Sequence, residues 1–199
     1  DGQSVADEQT HERIRNDLID AGCTDMDYWS DLSNKGVATR PLSVAVGILL
    51  EQPERVRRGI DGFYDILALR YHFDGFYTES PAYARHNYLS MKDLPDLLQG
   101  YSDPPGYQPP DGARIDDFRP FEDGHFNLAL VAMIRMLAPG NMKPTIGDTN
   151  ADTPLSPLYA EILAARVGGP YVALLEQLSE RPLSEYGTEY SLWYRPPNL

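Results

Sequence analysis

The chain has 199 residues, of which 42% are hydrophobic and 24% are charged, and its formal net charge is −13. This composition indicates a folded protein with one sizeable core and excludes an intrinsically disordered chain. The acidic balance argues against nucleic-acid binding through a general basic surface, because phosphate contacts require an excess of lysine and arginine. The longest apolar run, residues 42–50, is shorter than the ~18 residues of a membrane span, so no membrane partner is expected.

Hydrophobic periodicity predicts three helices in the first third of the chain. The first covers residues 7–21 and ends at Gly22, a residue type that favours helix ends. The second covers residues 41–51, which are apolar on nearly all sides, so this helix is predicted to be buried on every face. Pro53 opens the third helix, because proline is favoured in the first helical turn. The apolar residues of this helix follow amphipathic spacing: Val56, Ile60, Phe63 and Leu67.

The rest of the chain is also predicted to be helical. Pro81 opens a helix that runs to about Leu98, and a loop rich in proline and glycine follows from Tyr101 to Pro120. Later helices are predicted over residues 124–138, 156–167 and 170–180, with a loop from Pro139 to Leu155. Because no segment of any length is rich in strand-forming residues, the predicted fold class is all-α.

The segment Asp74–Tyr88 carries the densest group of polar and aromatic residues. Tyr83, His86 and Asn87 are related by i,i+3 and i,i+4 spacing, so they are predicted to share one helix face. A phenol, an imidazole and an amide together can move protons and hold an anionic substrate. The alternative is that Tyr83 is a packed aromatic residue with its hydroxyl satisfied, and Tyr88 competes with it for the catalytic role.

Two other groups have a structural interpretation beside the functional one. Asn34 lies in a Ser-Asn-Lys-Gly sequence, where it either donates to a substrate carboxylate or forms an Asn-based turn. Asp74 and Glu79 are either the carboxylate pair of a glycoside hydrolase or a turn residue and a helix-end charge. Five aromatic residues are candidates for stacking on sugar rings: Tyr28, Trp29, Tyr71, Phe76 and Tyr77.

The sequence predicts neither a metal nor a cofactor. His11, His72 and His125 are isolated from one another, and no cluster has the spacing of metal ligands. Glycine loops that cradle phosphates or dinucleotides are missing from the sequence. The single cysteine, Cys23, has no partner within the chain for a disulfide.

Four segments resemble the helical domain of the heparinase II/III and alginate-lyase group of polysaccharide lyases. They follow one another in the order Asn34–Gly36, Gln52–Gly62, Asp74–Tyr83 and Pro144–Asp148. The third segment, Asp-Gly-Phe-Tyr-Thr-Glu-Ser-Pro-Ala-Tyr, is fairly specific. The resemblance covers residues from about 30 to 150.

This resemblance implies an incomplete (α/α) toroid of antiparallel helix pairs, of which residues 1–199 would form a part. A C-terminal β-sandwich domain is expected in a longer parent protein. The implied reaction is β-elimination on an acidic polysaccharide or oligosaccharide, in the periplasm or after secretion. Asn34 would neutralise the uronate carboxylate, Tyr83 would be the catalytic tyrosine, and His86 is a further catalytic candidate.

The predicted substrate-binding residues surround these three positions: Lys35, Arg40, Glu79, Tyr77, Tyr88 and Asn87. Lys35 and Arg40 would add positive charge near the uronate. The sequence departs from the family pattern at Lys35, where some members have histidine, and only His125 is available as a later histidine. Two alternatives therefore stay open: a non-catalytic carbohydrate-binding toroid, and a glycoside hydrolase that uses Asp74 and Glu79.

Overall fold

The computed structural model describes residues 5–27, 31–150, 154–197 and 199. The described α-helices are α1 (Glu8–Arg13), α2 (Ala21–Asp27), α3 (Thr39–Leu49), α4 (Pro53–Arg70), α5 (Pro81–Met91), α6 (Asp93–Leu98), α7 (Gly124–Arg135), α8 (Pro157–Arg166), α9 (Pro170–Ser179) and α10 (Glu189–Tyr194). A π-helical segment joins α1 to α2, and the β structure of the described residues is limited to isolated bridges. The predicted all-α class is confirmed.

Two predictions about the first helices are wrong. Gly22 does not end the first helix, because helical structure continues through α2 to Asp27. Nothing lies within 4 Å of where a Cβ atom on Gly22 would be, so neither packing nor a special turn requires glycine there. The second error concerns α3, which is not buried on every face, since Ile48 and Leu49 at its end are 39% and 64% exposed.

The chain divides into two compact units. The first contains the described residues of Asp1–Arg70 together with His86–Pro120, and the second contains those of Tyr71–Arg85 together with Phe121–Leu199. Helix α5 therefore begins in the second unit and ends in the first.

The centre of the first unit is a helical hairpin of α3 and α4. Its two helices run antiparallel, because Gly47 lies beside Val56 whereas Val44, earlier on α3, lies beside Gly59, later on α4. A Cβ atom on Gly47 or Gly59 would approach a valine methyl group of the other helix to 2.8 or 2.4 Å. Small residues at both contacts thus allow the two backbones to pack closely.

The carboxylate of Asp27, at the end of α2, ties that helix to the hairpin. It accepts hydrogen bonds from Ser43 Oγ on α3 (2.6 Å) and from Arg55 Nε on α4 (2.6 Å). Arg55 also pairs with Asp20 at 2.9 Å. The Asp27 side chain is almost completely buried, so these donors replace the water that would otherwise contact its carboxylate.

The loop from Tyr101 to Pro120 is held to α4 by one buried carboxylate. Asp103 Oδ2 accepts from Arg57 Nη2 (2.5 Å) and from the backbone N–H of Ile115 (2.7 Å). The Arg114 guanidinium bridges the carbonyl groups of Asp103 and Pro104 across the loop. The predicted proline-rich loop is therefore present and is ordered by its own polar contacts.

The second unit contains α7 and the pair α8 and α9, which a three-residue connection joins. Ala160 and Ala164 of α8 pack against Leu175 of α9 in a fully buried cluster. Glu161, also fully buried on α8, accepts from Arg195 Nη2 (2.8 Å) and from Thr188 Oγ1 (2.6 Å). These two contacts hold α10 and the residues around it against α8. Among the described residues, no helix combines the length and apolar character that crossing a membrane requires.

Candidate functional site

A tight turn precedes α5. The backbone N–H of Gly75 donates to the His72 carbonyl (2.9 Å), and the Asp74 carboxylate accepts from the Phe76 N–H (3.1 Å). Gly75 has φ +84°, and a Cβ atom there would lie 2.2 Å from the Leu128 carbonyl oxygen. Asp74 thus has the turn role that its position before glycine suggests.

The first turn of α5 is built from two distant parts of the chain. Pro81 has no N–H to satisfy, the Ala82 N–H donates to Thr149 Oγ1 (3.0 Å), and the Tyr83 N–H donates to Ser80 Oγ (3.2 Å). Gly147 packs against the same turn, because a Cβ atom on it would lie 2.9 Å from the Glu79 carbonyl oxygen. The motif segments Asp74–Tyr83 and Pro144–Asp148 therefore meet at the start of this helix.

The residues of α5 differ in exposure. Buried residues follow helical spacing along one stripe: Ala84, Asn87, Tyr88 and Met91. Tyr83 is half-buried and His86 is exposed, whereas Asn87 is completely buried. The prediction that Tyr83, His86 and Asn87 share one accessible surface is therefore wrong for Asn87. Tyr88 is 2% exposed in the same stripe and offers no surface to a substrate.

Tyr77, predicted to bind substrate, is a core residue of the second unit. It is 1% exposed, and its ring contacts that of Tyr71 edge to face at 5.2 Å between centroids. Burial raises the pKa of Tyr71 well above its ordinary value, with further contributions from Tyr159 and Tyr77, so Tyr71 is unsuited to act as a base. Glu79 is exposed beside the turn. The stacking candidates Tyr28 and Trp29 lie outside the described residues.

Asn34 lies in a polar turn before α3, in the first unit. Ser33 anchors this turn by donating from its N–H and its hydroxyl to the Asp31 carboxylate (2.7 and 2.8 Å). Gly36 packs so closely on Asp31 that a Cβ atom would lie 2.2 Å from the Asp31 carbonyl oxygen. Asn34 is half-buried, and its amide forms no hydrogen bond with the described residues.

Lys35 and Arg40, the two cations predicted near the uronate, have different environments. Lys35 is exposed, whereas Arg40 is 6% exposed. The Arg40 guanidinium donates to the Gly36 carbonyl (2.7 Å) and to Thr39 Oγ1 (3.0 Å). Burial lowers the pKa of Arg40, and the negative charges of Asp31 and Asp65 oppose this effect by raising it. Arg40 therefore stabilises the start of α3, and its Nη1 atom already donates hydrogen bonds within the chain.

Sequence reasoning missed Lys143, a buried cation of the second unit. Lys143 directly precedes the Pro144–Asp148 segment and is 2% exposed. Burial lowers its pKa, and the nearby Arg85 guanidinium lowers it further. Arg85 lies on α5 two residues after Tyr83 and is half-buried. A lysine between a methionine and a proline carries no local sequence signal of burial, so only the tertiary structure identifies it.

A cleft of about 510 Å³ lies in the first unit between α4 and the Tyr101–Pro120 loop. Three half-buried aromatic residues line it, namely Tyr64, Tyr107 and Phe118. Arg57 lies over the Tyr107 ring, 5.7 Å from its centroid. Aromatic faces with polar groups beside them suit the stacking of a sugar ring.

His125 is the only histidine of the sequence that follows His86. It lies at the start of α7, where its backbone N–H donates to the Asp123 carboxylate (2.7 Å). Its Nε2 atom is buried and has no hydrogen-bond partner among the described residues. His125 belongs to the same unit as Tyr83, which makes it a candidate for the second proton-transfer group.

Comparison with known proteins identifies no relative of this chain. No protein-family model matches it, and no match is found among the curated proteins or the solved structures. The motif segments and their geometry are therefore the basis for inferring a function.

Proposed function

We propose that this chain forms the helical part of a polysaccharide lyase that cleaves a uronic-acid-containing glycan by β-elimination. The observation that carries the proposal is the contact between the Asp74–Tyr83 and Pro144–Asp148 segments at the start of α5. Gly147 of the second segment packs on the Glu79 carbonyl group of the first. Thr149, directly after the second segment, accepts a hydrogen bond from the Ala82 N–H, 67 residues away in the chain. Two segments that resemble lyase motifs thus meet next to a partly accessible tyrosine.

The roles of the residues follow from the chemistry of the reaction. The proton on the carbon next to the uronate carboxylate is weakly acidic, so the charge that develops on its removal must be stabilised. The resemblance assigns the neutral amide for this carboxylate to Asn34, which belongs to the first unit, whereas Tyr83 belongs to the second. Tyr83 would deliver a proton to the leaving oxygen, with His86 or His125 as a second proton-transfer group. The resemblance also implies a periplasmic or secreted protein.

The test is an assay of the chain, and of any longer parent protein, against a panel of uronate polymers. A lyase creates an unsaturated uronate that absorbs in the ultraviolet, whereas a hydrolase creates reducing ends without that absorbance. Replacing Tyr83 by Phe removes only the hydroxyl, so we expect turnover to fall by about 100-fold or more while the circular dichroism spectrum stays unchanged.

The matched control is Tyr171→Phe. Tyr171 lies on α9 and packs against the apolar cluster of α8, so its hydroxyl is expected to be irrelevant to turnover. Turnover of Tyr83→Phe equal to that of Tyr171→Phe would contradict the catalytic role of Tyr83. Cleavage without an unsaturated product would contradict the lyase assignment itself.

The aromatic cleft in the first unit favours a second candidate function, which is carbohydrate binding without catalysis. Tyr64, Tyr107 and Phe118 would then stack on a glycan, and the fold would be retained without a complete catalytic site. The same panel distinguishes the two functions, because a binding protein retains the polymer and releases no product.

A further inference from the structure

One face of α4 lines the cleft of about 510 Å³ in the first unit. The side chains that this helix contributes follow i,i+3 and i,i+4 spacing, so they lie on the same side of it: Glu54, Arg57, Arg58, Ile60, Asp61 and Tyr64. The opposite wall is the Tyr101–Pro120 loop, and every lining residue belongs to the first unit. The cleft is thus formed within a single compact unit.

The aromatic wall of the cleft is fixed by the backbone at the end of the loop. The Phe118 N–H donates to the Tyr101 carbonyl (2.9 Å), and the Phe118 carbonyl accepts from the Gly100 N–H (2.8 Å). The Phe118 ring meets the Tyr64 ring edge to face, with 6.3 Å between the centroids. Because both rings are held in place before a ligand arrives, stacking on them has a low entropic cost.

Carboxylates without a partner are in excess in this cleft. The Arg57 guanidinium is paired with Asp103 at 2.5 Å, which neutralises its charge. Glu54 and Asp61 are exposed, and they form no hydrogen bond or ion pair with the described residues. A uronate in the cleft would therefore meet like charges that repel it.

The cleft is not built for a cation either. The Arg57 guanidinium lies over the Tyr107 ring, 5.7 Å from its centroid, so a cation of the protein already covers this aromatic face. The exposed Arg58 adds a further positive charge to the lining. An uncharged ligand avoids repulsion by either kind of charge.

Two polar groups of the lining residues favour a ligand with hydroxyl groups. The Arg57 Nε atom and the Tyr107 hydroxyl are buried and have no hydrogen-bond partner among the described residues. Buried polar groups in proteins are generally paired. Hydroxyl groups in the cleft can pair with them directly or through a bridging water, whereas an apolar ligand would leave them unpaired.

We propose that this cleft binds an uncharged sugar unit of a glycan and discriminates against a uronate. The inference rests on the second candidate function for the class of ligand, and it adds the charge of the sugar. The Tyr64 and Phe118 rings would stack on the apolar face of the sugar, while its hydroxyl groups donate to the Glu54 and Asp61 carboxylates. In a lyase, the cleft would hold a sugar unit other than the reacting uronate.

The test compares sugars that share one ring and differ in charge, namely glucose, glucosamine and glucuronate, with the galactose and mannose series run in parallel. Saturation-transfer NMR at slightly acidic pH, where the amine is protonated and the uronate is ionised, gives the affinity of the chain for each. In at least one series, we expect the neutral sugar to bind about tenfold or more tightly than its uronate. About 1 M sodium chloride should narrow this ratio, because salt screens the repulsion.

Two variants test the two parts of the site. Tyr64→Leu removes the ring but keeps an apolar side chain, so it should weaken binding of the neutral sugar by about tenfold. The matched control is Phe73→Leu in the second unit, because Phe73 is an aromatic residue that is 91% exposed, and this variant should bind like the wild type. Asp61→Asn removes one repelling charge, so it should lower the ratio of neutral-sugar to uronate affinity by about threefold or more.

Circular dichroism shows whether each variant is folded. If Tyr64→Leu does not fold, Asp61→Asn decides the question, because its side chain is exposed and its substitution leaves the core unchanged. The proposal would be overturned if no neutral sugar binds, or if the uronate or the amino sugar binds as tightly as the neutral sugar in every series. Wild-type affinity in a folded Tyr64→Leu, or an unchanged affinity ratio in Asp61→Asn, would also overturn it.

The outcomes separate this site from the proposed reaction. If a neutral sugar binds and binding depends on Tyr64, but no uronate polymer is cleaved, then the neutral-sugar site stands and the lyase function fails. If uronate polymers are cleaved and no neutral sugar binds, then the reaction stands and the neutral-sugar site fails.

Discussion

At the scale of single residues, the turn before α5 depends on one glycine. Gly75 combines a left-handed backbone (φ +84°) with close packing on the Leu128 carbonyl group. Side chains other than glycine are strained at such a φ value, and a Cβ atom would also displace the backbone of α7. The turn that presents the Asp74–Tyr83 segment therefore tolerates no side chain at this position.

We expect Gly75→Ala to lower the free energy of unfolding by about 3 kcal/mol or more, because backbone strain and overpacking add together. Gly106→Ala is the matched control, since Gly106 has φ +85° but no atom within 4 Å of the Cβ position. That variant should lose only about 1 kcal/mol from strain. Urea denaturation measures both, and equal losses would show that packing on Leu128 is unimportant.

At the scale of elements, the helix starts differ in how their first N–H groups are satisfied. The Asp123 carboxylate caps α7 by accepting from His125 and Phe126 (2.7 and 3.2 Å). Ser156 occupies the same position before α8, but its side chain forms no capping hydrogen bond. The two positions therefore allow a comparison of one cap that is used with one that is not.

We expect Asp123→Ala to lower the free energy of unfolding by about 1 kcal/mol, since the substitution removes two capping bonds. Ser156→Ala should change it by only a few tenths of this amount. Thermal and urea unfolding of both variants give the comparison. A loss in Ser156→Ala as large as that in Asp123→Ala would argue that intrinsic helix propensity, and not capping, sets the difference.

Helix starts were predictable from the sequence because proline marks them locally. Pro53 and Pro81 begin α4 and α5 as predicted, and the predicted start at 170 coincides with Pro170. The break between α5 and α6 at Lys92 was not predicted, since the apolar spacing continues across it. Local rules identify where a helix begins, but they do not identify a break within a continuous apolar pattern.

The candidate site was only partly predictable for a related reason. The resemblance pointed to Tyr83, and the structure leaves its side chain partly exposed. The sequence predicts that Asn87 and Tyr88 bind substrate, because their polar groups suggest function, yet both belong to the buried stripe of α5. Lys143 was missed, because burial of a lysine follows from long-range contacts that no sequence pattern reports.

At the scale of the whole molecule, an acidic chain keeps several carboxylates buried. Asp27, Asp103 and Glu161 are each joined to an arginine within 2.8 Å. Burial opposes ionisation of Asp103, but hydrogen bonds from Arg57 and from the Ile115 N–H outweigh it and lower the pKa of Asp103 below its ordinary 3.8. The ionised form is therefore preferred in the folded state, so this contact stabilises the fold when Asp103 is charged.

The stabilisation from Asp103 is fully present above pH 3.8, the unfolded value, and is lost as the pH falls through the lower folded pKa. We expect Asp103→Asn to lower the free energy of unfolding at pH 7 by about 2 kcal/mol. The difference from the wild type should shrink in acid below that window. Asp117→Asn is the control, because Asp117 forms an exposed pair with Arg119 and should matter little. A pH-independent difference for Asp103→Asn would contradict this account.

The interleaving of the two units has a consequence for biosynthesis. As the chain leaves the ribosome, Tyr71–Arg85 emerges between the two parts of the first unit, but its own partners begin only at Phe121. The side chains of Tyr71 and Tyr77 can therefore be buried only after the later half of the chain has been translated. We expect nascent chains to expose this aromatic segment to chaperones and proteases for longer than any part of the first unit.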